Sequence, residues 1–373
     1  MEKNFLRVWR AEENEALFNA ASIAAAIEAS PPSGKGLKED YLALVKSMGV
    51  AIHPSLVPRA KLIADVLPED ALETVLDMTP YESMVSVVGT VLDRPSLCLL
   101  CEALTTATNI KTLKLVDVGL TSSSVSILAE YLPKLSVETL VLDFNNGPWK
   151  DSSSLASLIL PANATPVCPL KVLSLRGCGI DDAIADNIAE ALWINTSIVE
   201  LNLFQNRITD ASNIINVVRY NHAIKSLWLG NNSLGHKAAM SFYRNVSQYG
   251  PLSAAEKEER AVIKALHEKF AASGGGKPKK GAAPAVGFSL DEMDEESGIC
   301  VGNQNLVNLD LTFNPIGAEA SAQLQAAFCD TESPLSSAIK QFNLLNCTGV
   351  DDATILAVNT RLGRLPAAVE GSQ

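Results

Sequence analysis

Apolar residues recur along the chain with two periods that alternate in every repeat. In IVELNLFQNRI, apolar side chains alternate with polar ones, whereas DDAIADNIAEALWIN places Ile184, Ile188 and Leu192 on one helical stripe. Alternation predicts a strand whose leucines point inward, and the wider spacing predicts a helix. Asp181 or Asp182 can cap the start of that helix. Each repeat is therefore predicted to be a strand followed by a helix.

The strand half of each repeat follows one template. Its first position is apolar, the fourth and sixth are Leu, the ninth is Asn and the eleventh is apolar, while the other positions are free. Copies start at Ile110, Val137, Leu170, Ile198, Ile224, Leu306 and Ile339, and a degenerate copy starts at Glu82. Successive starts are 28, 27, 33, 28, 26, 82 and 33 positions apart, so one long insertion interrupts the array. Because a single strand and helix cannot bury their apolar side alone, the copies predict stacked repeats with a continuous core.

The Asn of the template has a physical reason of its own. After each strand the backbone turns and leaves peptide groups inside without strand partners, and a buried amide can donate to them and accept from them. Val118 departs from the pattern and Thr90 matches it only in part, so the early turns are predicted to be less regular. The residues predicted to form this turn ladder are Asn145, Cys178, Asn206, Asn232, Asn314 and Cys347.

These copies resemble leucine-rich repeats, and the long helical unit with Asn or Cys at the turn resembles the ribonuclease-inhibitor class. The resemblance covers about residues 82–365 apart from the insertion. It implies an α/β fold, a leucine-rich repeat solenoid of the ribonuclease-inhibitor-like horseshoe type with a helical N-terminal cap. The predicted domains are residues 1–81 as the cap, 82–248 as the first repeats, 249–303 as the insertion, and 304–373 as the last repeats and C-terminal end.

The cap and the insertion are predicted from local patterns. NEALFNAASIAAAIEAS predicts one helix, and EDYLALVKSMG predicts a helix that ends at Gly49. In the insertion, Val262, Ala265, Leu266 and Phe270 form a narrow apolar stripe on a predicted helix. The Gly-, Pro- and Lys-rich residues that follow, 273–300, are predicted to be flexible.

Composition limits the partners and the compartment. The formal net charge is −12 and the sequence pI is about 4.9, which argues against nucleic acid or an anionic membrane as a partner. The first residues carry charges where a secretory signal needs an apolar segment, and no uncharged run reaches membrane-spanning length. The cysteines at repeat core positions are interpreted as reduced thiols of a cytoplasmic protein.

No catalytic, cofactor or metal motif stands out. SGGGKPKKG lacks the first Gly of a phosphate loop, and Pro278 follows Lys277 where the loop needs Ser or Thr. Cys98 and Cys101 form a single C-x-x-C without a second pair, so a buried core position is favoured over zinc. A solenoid can assemble a site across repeats, but no such constellation is predicted here. The sequence therefore favours a non-catalytic protein without a cofactor.

A patch of outward side chains is the candidate binding site. Since Leu227 and Leu229 point inward, Trp228 points outward, and the same alternation places Phe204 outward on the preceding strand. Arg176 and Asp143 occupy equivalent positions on earlier strands, and the set has the composition of an interface hot spot. Alternatively, the insertion or the cap covers these rings.

Three functions at family level compete for this scaffold. The lead-in through Tyr41, Gly49, Pro54 and Leu56 resembles that of leucine-rich-repeat subunits of the axonemal nexin–dynein regulatory complex. That resemblance implies a cytoskeletal role in the cilium or flagellum, with other axonemal subunits as partners and control of dynein as the result. A GTPase-activating protein of the Ran type shares the repeat class, but the long acidic tail of that family is missing. The third alternative is a cytosolic inhibitor or sensor array.

Overall fold

The computed structural model describes residues 10–56, 83–147, 149, 153–160, 169–247, six positions between 254 and 265, 303–332, 335 and 338–364. The chain forms two compact units, a first unit of residues 1–178 and a second unit of residues 179–373. The flexible stretch predicted at 273–300 lies outside the described residues. Of the apolar stripe predicted in the insertion, Val262 and Ala265 are described; both are helical and exposed.

The first unit begins with three helices, α1 (Ala11–Glu15), α2 (Ala20–Ala29) and α3 (Leu37–Met48). The prediction of one helix across the first two was wrong. Asn19 has an extended backbone and its side chain accepts from the N–H of Ala21, so it starts a new helix instead of continuing the old one. Gly49 ends α3 with φ 69°, as the sequence predicts.

Buried polar side chains attach these helices to the first repeat. Asn14 donates to the carbonyl of Ala51 at 3.1 Å and to Asp93 at 3.4 Å, and Glu15 forms a 2.8 Å ion pair with Arg94. His53 is fully buried, and its Nε2 lies 2.9 Å from the carbonyl oxygen of Val91. The N-terminal helices thus fix the open end of the repeats by satisfying the groups of the first turn.

The repeats of the first unit contain strands β1 (Met84–Val88), β2 (Thr112–Val116), β3 (Thr139–Val141) and β4 (Val172–Ser174). They pair in parallel, each with the next, so that equivalent template leucines lie side by side. Between the strands run helices α4 (Arg94–Leu104), α5 (Ser122–Tyr131), a 3-10 turn (Leu132–Lys134) and α6 (Ala156–Ile159).

The second unit continues the same alternation. It begins with helix α7 (Asp182–Leu192), which Asp181 caps by accepting from the N–H of Ile184. The strands are β5 (Glu200–Asn202), β6 (Ser226–Trp228), β7 (Asn308–Asp310) and β8 (Gln341–Asn343), all parallel to their neighbours. The helices between and after them are α8 (Ser212–Tyr220), α9 (His236–Val246), α10 (Ala318–Cys329) and α11 (Asp352–Arg361).

The core of each unit lies between its strands and its helices. The template leucines Leu113, Leu140, Leu201, Leu227 and Leu309 have no solvent exposure. Their burial, together with the parallel register, confirms the predicted α/β architecture of strand–helix repeats.

The insertion leaves and re-enters the array without disturbing it. Ser226 on β6 pairs with Asn308 on β7, although they are 82 positions apart. The N–H of Asn303 donates to the carbonyl of Asn245 at 2.6 Å, so the chain returns beside the point where α9 ends. Asn303 is fully buried and therefore lies in the repeat itself, although the sequence places it at the end of the insertion.

Candidate protein-binding surface

The turn-ladder residue of each repeat satisfies the turn of the repeat before it. In the first unit, Asn145 donates to the carbonyls of Leu115 at 2.7 Å and Leu142 at 2.9 Å, and it accepts from the N–H groups of Val118 and Leu120. The thiol of Cys178 lies in the equivalent place and donates to the carbonyl of Leu142 at 3.2 Å.

The second unit repeats this arrangement. Asn314 donates to the carbonyls of Leu229 and Leu311, both at 2.9 Å, and accepts from the N–H groups of Asn232 and Leu234. Asn232 makes the matching contacts one repeat earlier, and the thiol of Cys347 donates to Leu311 one repeat later. Asn206 is only half-buried; it accepts from Ile180 and donates to Leu203.

A second row of buried amides lies where each helix returns to the next strand, and sequence reasoning missed it. Asn221 donates to the carbonyls of Leu192 and Asn195 and accepts from Ala223 and Ile224. Asn303 repeats the pattern after the insertion, with Nδ2 3.2 Å from the carbonyl of Asn221. The available signal is an Asn three positions before the first apolar residue of a copy, found at Asn195, Asn221 and Asn303.

Two of the four predicted patch residues, Asp143 and Arg176, lie in the first unit. Asp143 accepts from the hydroxyl of Ser174 at 2.6 Å and from the backbone N–H of Arg176 at 3.1 Å. The guanidinium of Arg176 lies 5.3 Å from the centre of the Phe144 ring. The carboxylate therefore holds the backbone of the next strand, and the exposed Arg176 forms a cation–π pair.

The other two, Phe204 and Trp228, lie in the second unit and point outward, but both rings are half-buried. The indole N–H of Trp228 donates to Glu200 at 3.1 Å. Phe204 meets the ring of Phe313 edge-on, with centroids 6.5 Å apart and planes at 82°. Neighbouring side chains of the same face therefore cover part of each ring.

Sequence reasoning missed a further outward position, which carries the most exposed aromatic rings of the described residues. The residue just before each ladder position has a positive φ, which favours Gly, Asn or Asp. Phe144 and Phe313 occupy this position with φ of 61° and 59°, and they are 38% and 51% exposed. The sequence signal is an aromatic residue directly before the ladder Asn, in DFNN and TFNP. The residues at this position are Asp117, Phe144, Gly177, Gln205, Asn231, Phe313 and Asn346.

The half-buried Phe204 and the exposed Phe313 and Leu345 form an apolar strip along the strand ends of the second unit. The N–H of Phe313 donates to the carbonyl of Leu345, whose side chain is 50% exposed. Gly230 lies beside the Phe204 ring, and a Cβ there would come within 2.6 Å of both that ring and the Thr312 hydroxyl. The missing side chain at Gly230 lets the Phe204 ring lie across the end of β6 towards Phe313.

Four of the five described thiols, those of Cys98, Cys101, Cys178 and Cys347, are buried, and Cys329 is exposed. Burial raises the pKa of Cys98 and Cys347 to about 11 and that of Cys178 to about 12, so these thiols stay protonated near neutral pH. The described residues hold no group of three or more His, Cys, Asp or Glu side chains placed to bind a metal ion. Within the same residues, no helix is both long enough and apolar enough to cross a membrane.

A family model for the leucine-rich repeat matches residues 168–189, 195–212 and 302–320. The chain contains leucine-rich repeats. The three matched segments lie on both sides of the insertion and include the ladder residues Cys178, Asn206 and Asn314. Leucine-rich repeats typically bind other proteins through the extended surface of their stacked strands. Among curated proteins, none matches this leucine-rich repeat protein in sequence.

Three solved structures resemble this leucine-rich repeat protein. The tropomodulin C-terminal domain of Caenorhabditis elegans is 14% identical, with 50% of this chain and 89% of that domain covered and a TM-score of 0.29. The second actin-binding site of leiomodin-1 is 18% identical, with 56% and 100% covered and a TM-score of 0.32. An internalin from Listeria monocytogenes is 16% identical, with 95% and 100% covered and a TM-score of 0.27.

Proposed function

We propose that the protein is a non-catalytic protein-binding scaffold and that the apolar strip of the second unit is a contact surface. The observation that carries this proposal is Phe313, a half-exposed ring on a left-handed backbone. A bulky residue in that conformation costs on the order of 1–2 kcal/mol. Backbone preference does not favour Phe at this position, and the edge contact with Phe204 leaves half of the ring exposed, so we infer a role in binding.

The neighbours of Phe313 add to this surface. Phe204 and Leu345 extend the apolar area on both sides, and covering such area in a complex gains roughly 25 cal/mol per Å². Trp228 is held by Glu200 in one orientation, which lowers the entropy that its ring would lose on binding. Aromatic anchors of fixed orientation are typical of interface hot spots.

The first unit offers a separate contact of the same type. Phe144 also has a positive φ, and Arg176 lies over its ring. Asp143 fixes the backbone at Arg176, so it acts in this proposal by positioning that residue. Arg and aromatic residues together are enriched in hot spots.

Replacing Phe313 by Asn is expected to weaken partner capture by about tenfold while leaving the fold intact. Asn accepts a positive φ, so relief of the backbone strain offsets the lost edge contact with Phe204, which is worth about 0.5–1.5 kcal/mol. The purified protein and the variant would be immobilised, incubated with the same cell extract, and compared by quantitative mass spectrometry of the bound proteins. Circular dichroism during heating would measure the melting temperature of both.

A matched control is Gln205→Asn, which changes the equivalent position of the repeat with β5, where φ is 60° and the side chain is polar. This variant receives the same backbone relief and keeps an amide at the same position, so it should keep the captured proteins. If Phe313→Asn captures the same proteins in the same amounts, the apolar strip is not the contact surface.

The finer proposal is that the assembly containing this scaffold is the axoneme. Its support is the lead-in resemblance through Tyr41, Gly49, Pro54 and Leu56. Tyr41 and Leu56 are buried and Gly49 ends α3, so the resemblance falls largely on residues with packing roles. A scaffold of this kind would link other axonemal subunits and help control dynein.

A fluorescently tagged protein in a ciliated cell tests this finer proposal. We expect the tag to follow the axoneme and to stay with it after detergent extraction, because a structural subunit is held by its neighbours. An assay of GTP hydrolysis by Ran, with and without the purified protein, tests the competing GTPase-activating function. A tag that is diffuse and washes out with detergent would remove the axonemal assignment and leave the scaffold proposal standing.

A further inference from the structure

The outward face of the second unit lacks basic side chains. This outer face is defined by the third, fifth, seventh and eighth template positions of the repeats with β5 to β8, whose side chains lie on one side of the strands. Its members are Glu200, Asn202, Phe204, Gln205, Ser226, Trp228, Gly230, Asn231, Asn308, Asp310, Thr312, Phe313, Gln341, Asn343, Leu345 and Asn346. These sixteen described positions include two carboxylates, three aromatic rings and seven amides, and none is Lys, Arg or His.

The same template positions of the first unit differ. There Lys114 and Arg176 accompany Asp117 and Asp143, so the two signs balance. The absence of cations is therefore a property of the outer face of the second unit and not a requirement of the repeat. The cations of these four copies lie at other template positions. Lys225 and Lys340 occupy the second position, at the start of the strands, and Arg207 occupies the tenth, after the turn.

The two carboxylates of the outer face lie around Trp228. Glu200 accepts from its indole N–H at 3.1 Å, and Asp310 is its direct neighbour in the sheet. Asp310 is only 7% exposed, and Glu200 is half-buried. Because partial burial weakens solvent screening, charges here act on a ligand more strongly than charges on an open surface.

We propose that the ligand of the outer face is a cationic protein segment that carries Arg or Lys next to an aliphatic or aromatic residue. This inference rests on the proposed function and specifies its partner. The basic group meets Glu200, Asp310 and the face of an aromatic ring, which attracts cations. The apolar residue covers Phe313 and Leu345, and the amides pair with the backbone of the segment. Nucleic acid and acidic segments find no cation on this face.

Short fluorescent peptides test the charge of the ligand directly. Three peptides would have the same apolar residues at the same positions. All their other variable positions would be Arg in the first peptide, Gln in the second and Glu in the third. Their binding to the full chain would be measured by fluorescence anisotropy. We expect the Arg peptide to bind about tenfold more tightly than the Gln peptide, and the Glu peptide to bind more weakly than both.

Glu200→Gln separates this face from the general negative charge of the protein. Gln keeps an oxygen that can accept from Trp228, so the ring stays in place while the charge is lost. We expect Arg-peptide affinity to fall about fivefold and Gln-peptide affinity to stay the same. The matched control is Glu319→Gln on α10, which removes an exposed charge of the same unit and should change neither.

The outcomes distinguish this inference from the proposed function. Equal affinity for the Arg and Gln peptides, with both weakened by Phe313→Asn, would overturn the cationic ligand and keep the apolar strip as a binding surface. Equal loss of Arg-peptide affinity in Glu200→Gln and Glu319→Gln would also overturn it, because the attraction would then come from net charge. If none of the three peptides binds, the inference is overturned as well.

Discussion

Replacing the buried Asn314 by Ala is expected to lower the free energy of unfolding by on the order of 3 kcal/mol. Asn314 donates to the carbonyls of Leu229 and Leu311 and accepts from two backbone N–H groups of the preceding turn. Ala removes the acceptor of the two backbone N–H groups and one of the two donors to each carbonyl, and it opens a space beside them. Urea unfolding followed by circular dichroism would measure the change.

Two further substitutions make the result specific. Asn231→Gly changes an exposed Asn in the equivalent turn of the preceding repeat. Its φ is 51°, which suits Gly, so this variant should lower the free energy of unfolding only slightly. Asn314→Cys should cost less than Asn314→Ala, since the thiols of Cys178 and Cys347 donate to the equivalent carbonyls. Equal stability of Asn314→Ala and the parent protein would show that water replaces the amide at no cost.

Replacing Gly349 by Ala is expected to destabilise the last repeat by about 3 kcal/mol or more, the sum of backbone strain and steric overlap. Its φ is +85°, and a Cβ would lie 2.7 Å from backbone atoms of Gly317 and Ala318. Those atoms belong to the equivalent turn of the preceding repeat, where the N–H of Gly317 donates to the carbonyl of Thr348 at 2.8 Å. The two turns must separate to admit the methyl group, which breaks this bond.

Gly363→Ala is the matched control for Gly349→Ala. Gly363 has a φ of +70°, but no atom lies within 4 Å of the Cβ that would be added. This variant therefore carries the backbone strain alone, about 1–2 kcal/mol. Amide hydrogen exchange in α11 would report the difference between the two variants. Similar protection in both would mean that the turns separate without cost.

The repeat architecture could be predicted because it depends on spacing. Two inward leucines per copy set the strand register, and an Asn or Cys three positions later sets the turn. The structure pairs Leu201 with Leu227, and Leu227 with Leu309, as that spacing requires. The hydrogen bonds of the turn-ladder residues were predicted less completely. Asn145 and Asn314 bind mainly the turn of the preceding repeat, which a single copy of the template does not indicate.

The candidate surface was harder to predict because exposure depends on neighbours across strands. Alternation places Trp228 and Phe204 outward, but Glu200 and Phe313 cover part of their rings. The exposure of Phe313 follows from the left-handed backbone before Asn314, and strand periodicity does not extend to that position. The break between α1 and α2 similarly depends on one local contact, the hydrogen bond from the N–H of Ala21 to the side chain of Asn19.

The insertion between β6 and β7 has a consequence for the order in which the second unit assembles. Pairing β5 with β6 closes a loop of 26 positions, whereas pairing β6 with β7 closes one of 82. The longer loop adds about 1 kcal/mol of closure entropy, at roughly 0.6 kcal/mol for each doubling. In a linear array each repeat contacts only its neighbours. This entropy cost therefore weakens the contact between the repeats with β6 and β7 and leaves the other contacts unchanged. The repeat with β7 thus pairs with β6 against a higher entropic barrier than the repeats before it.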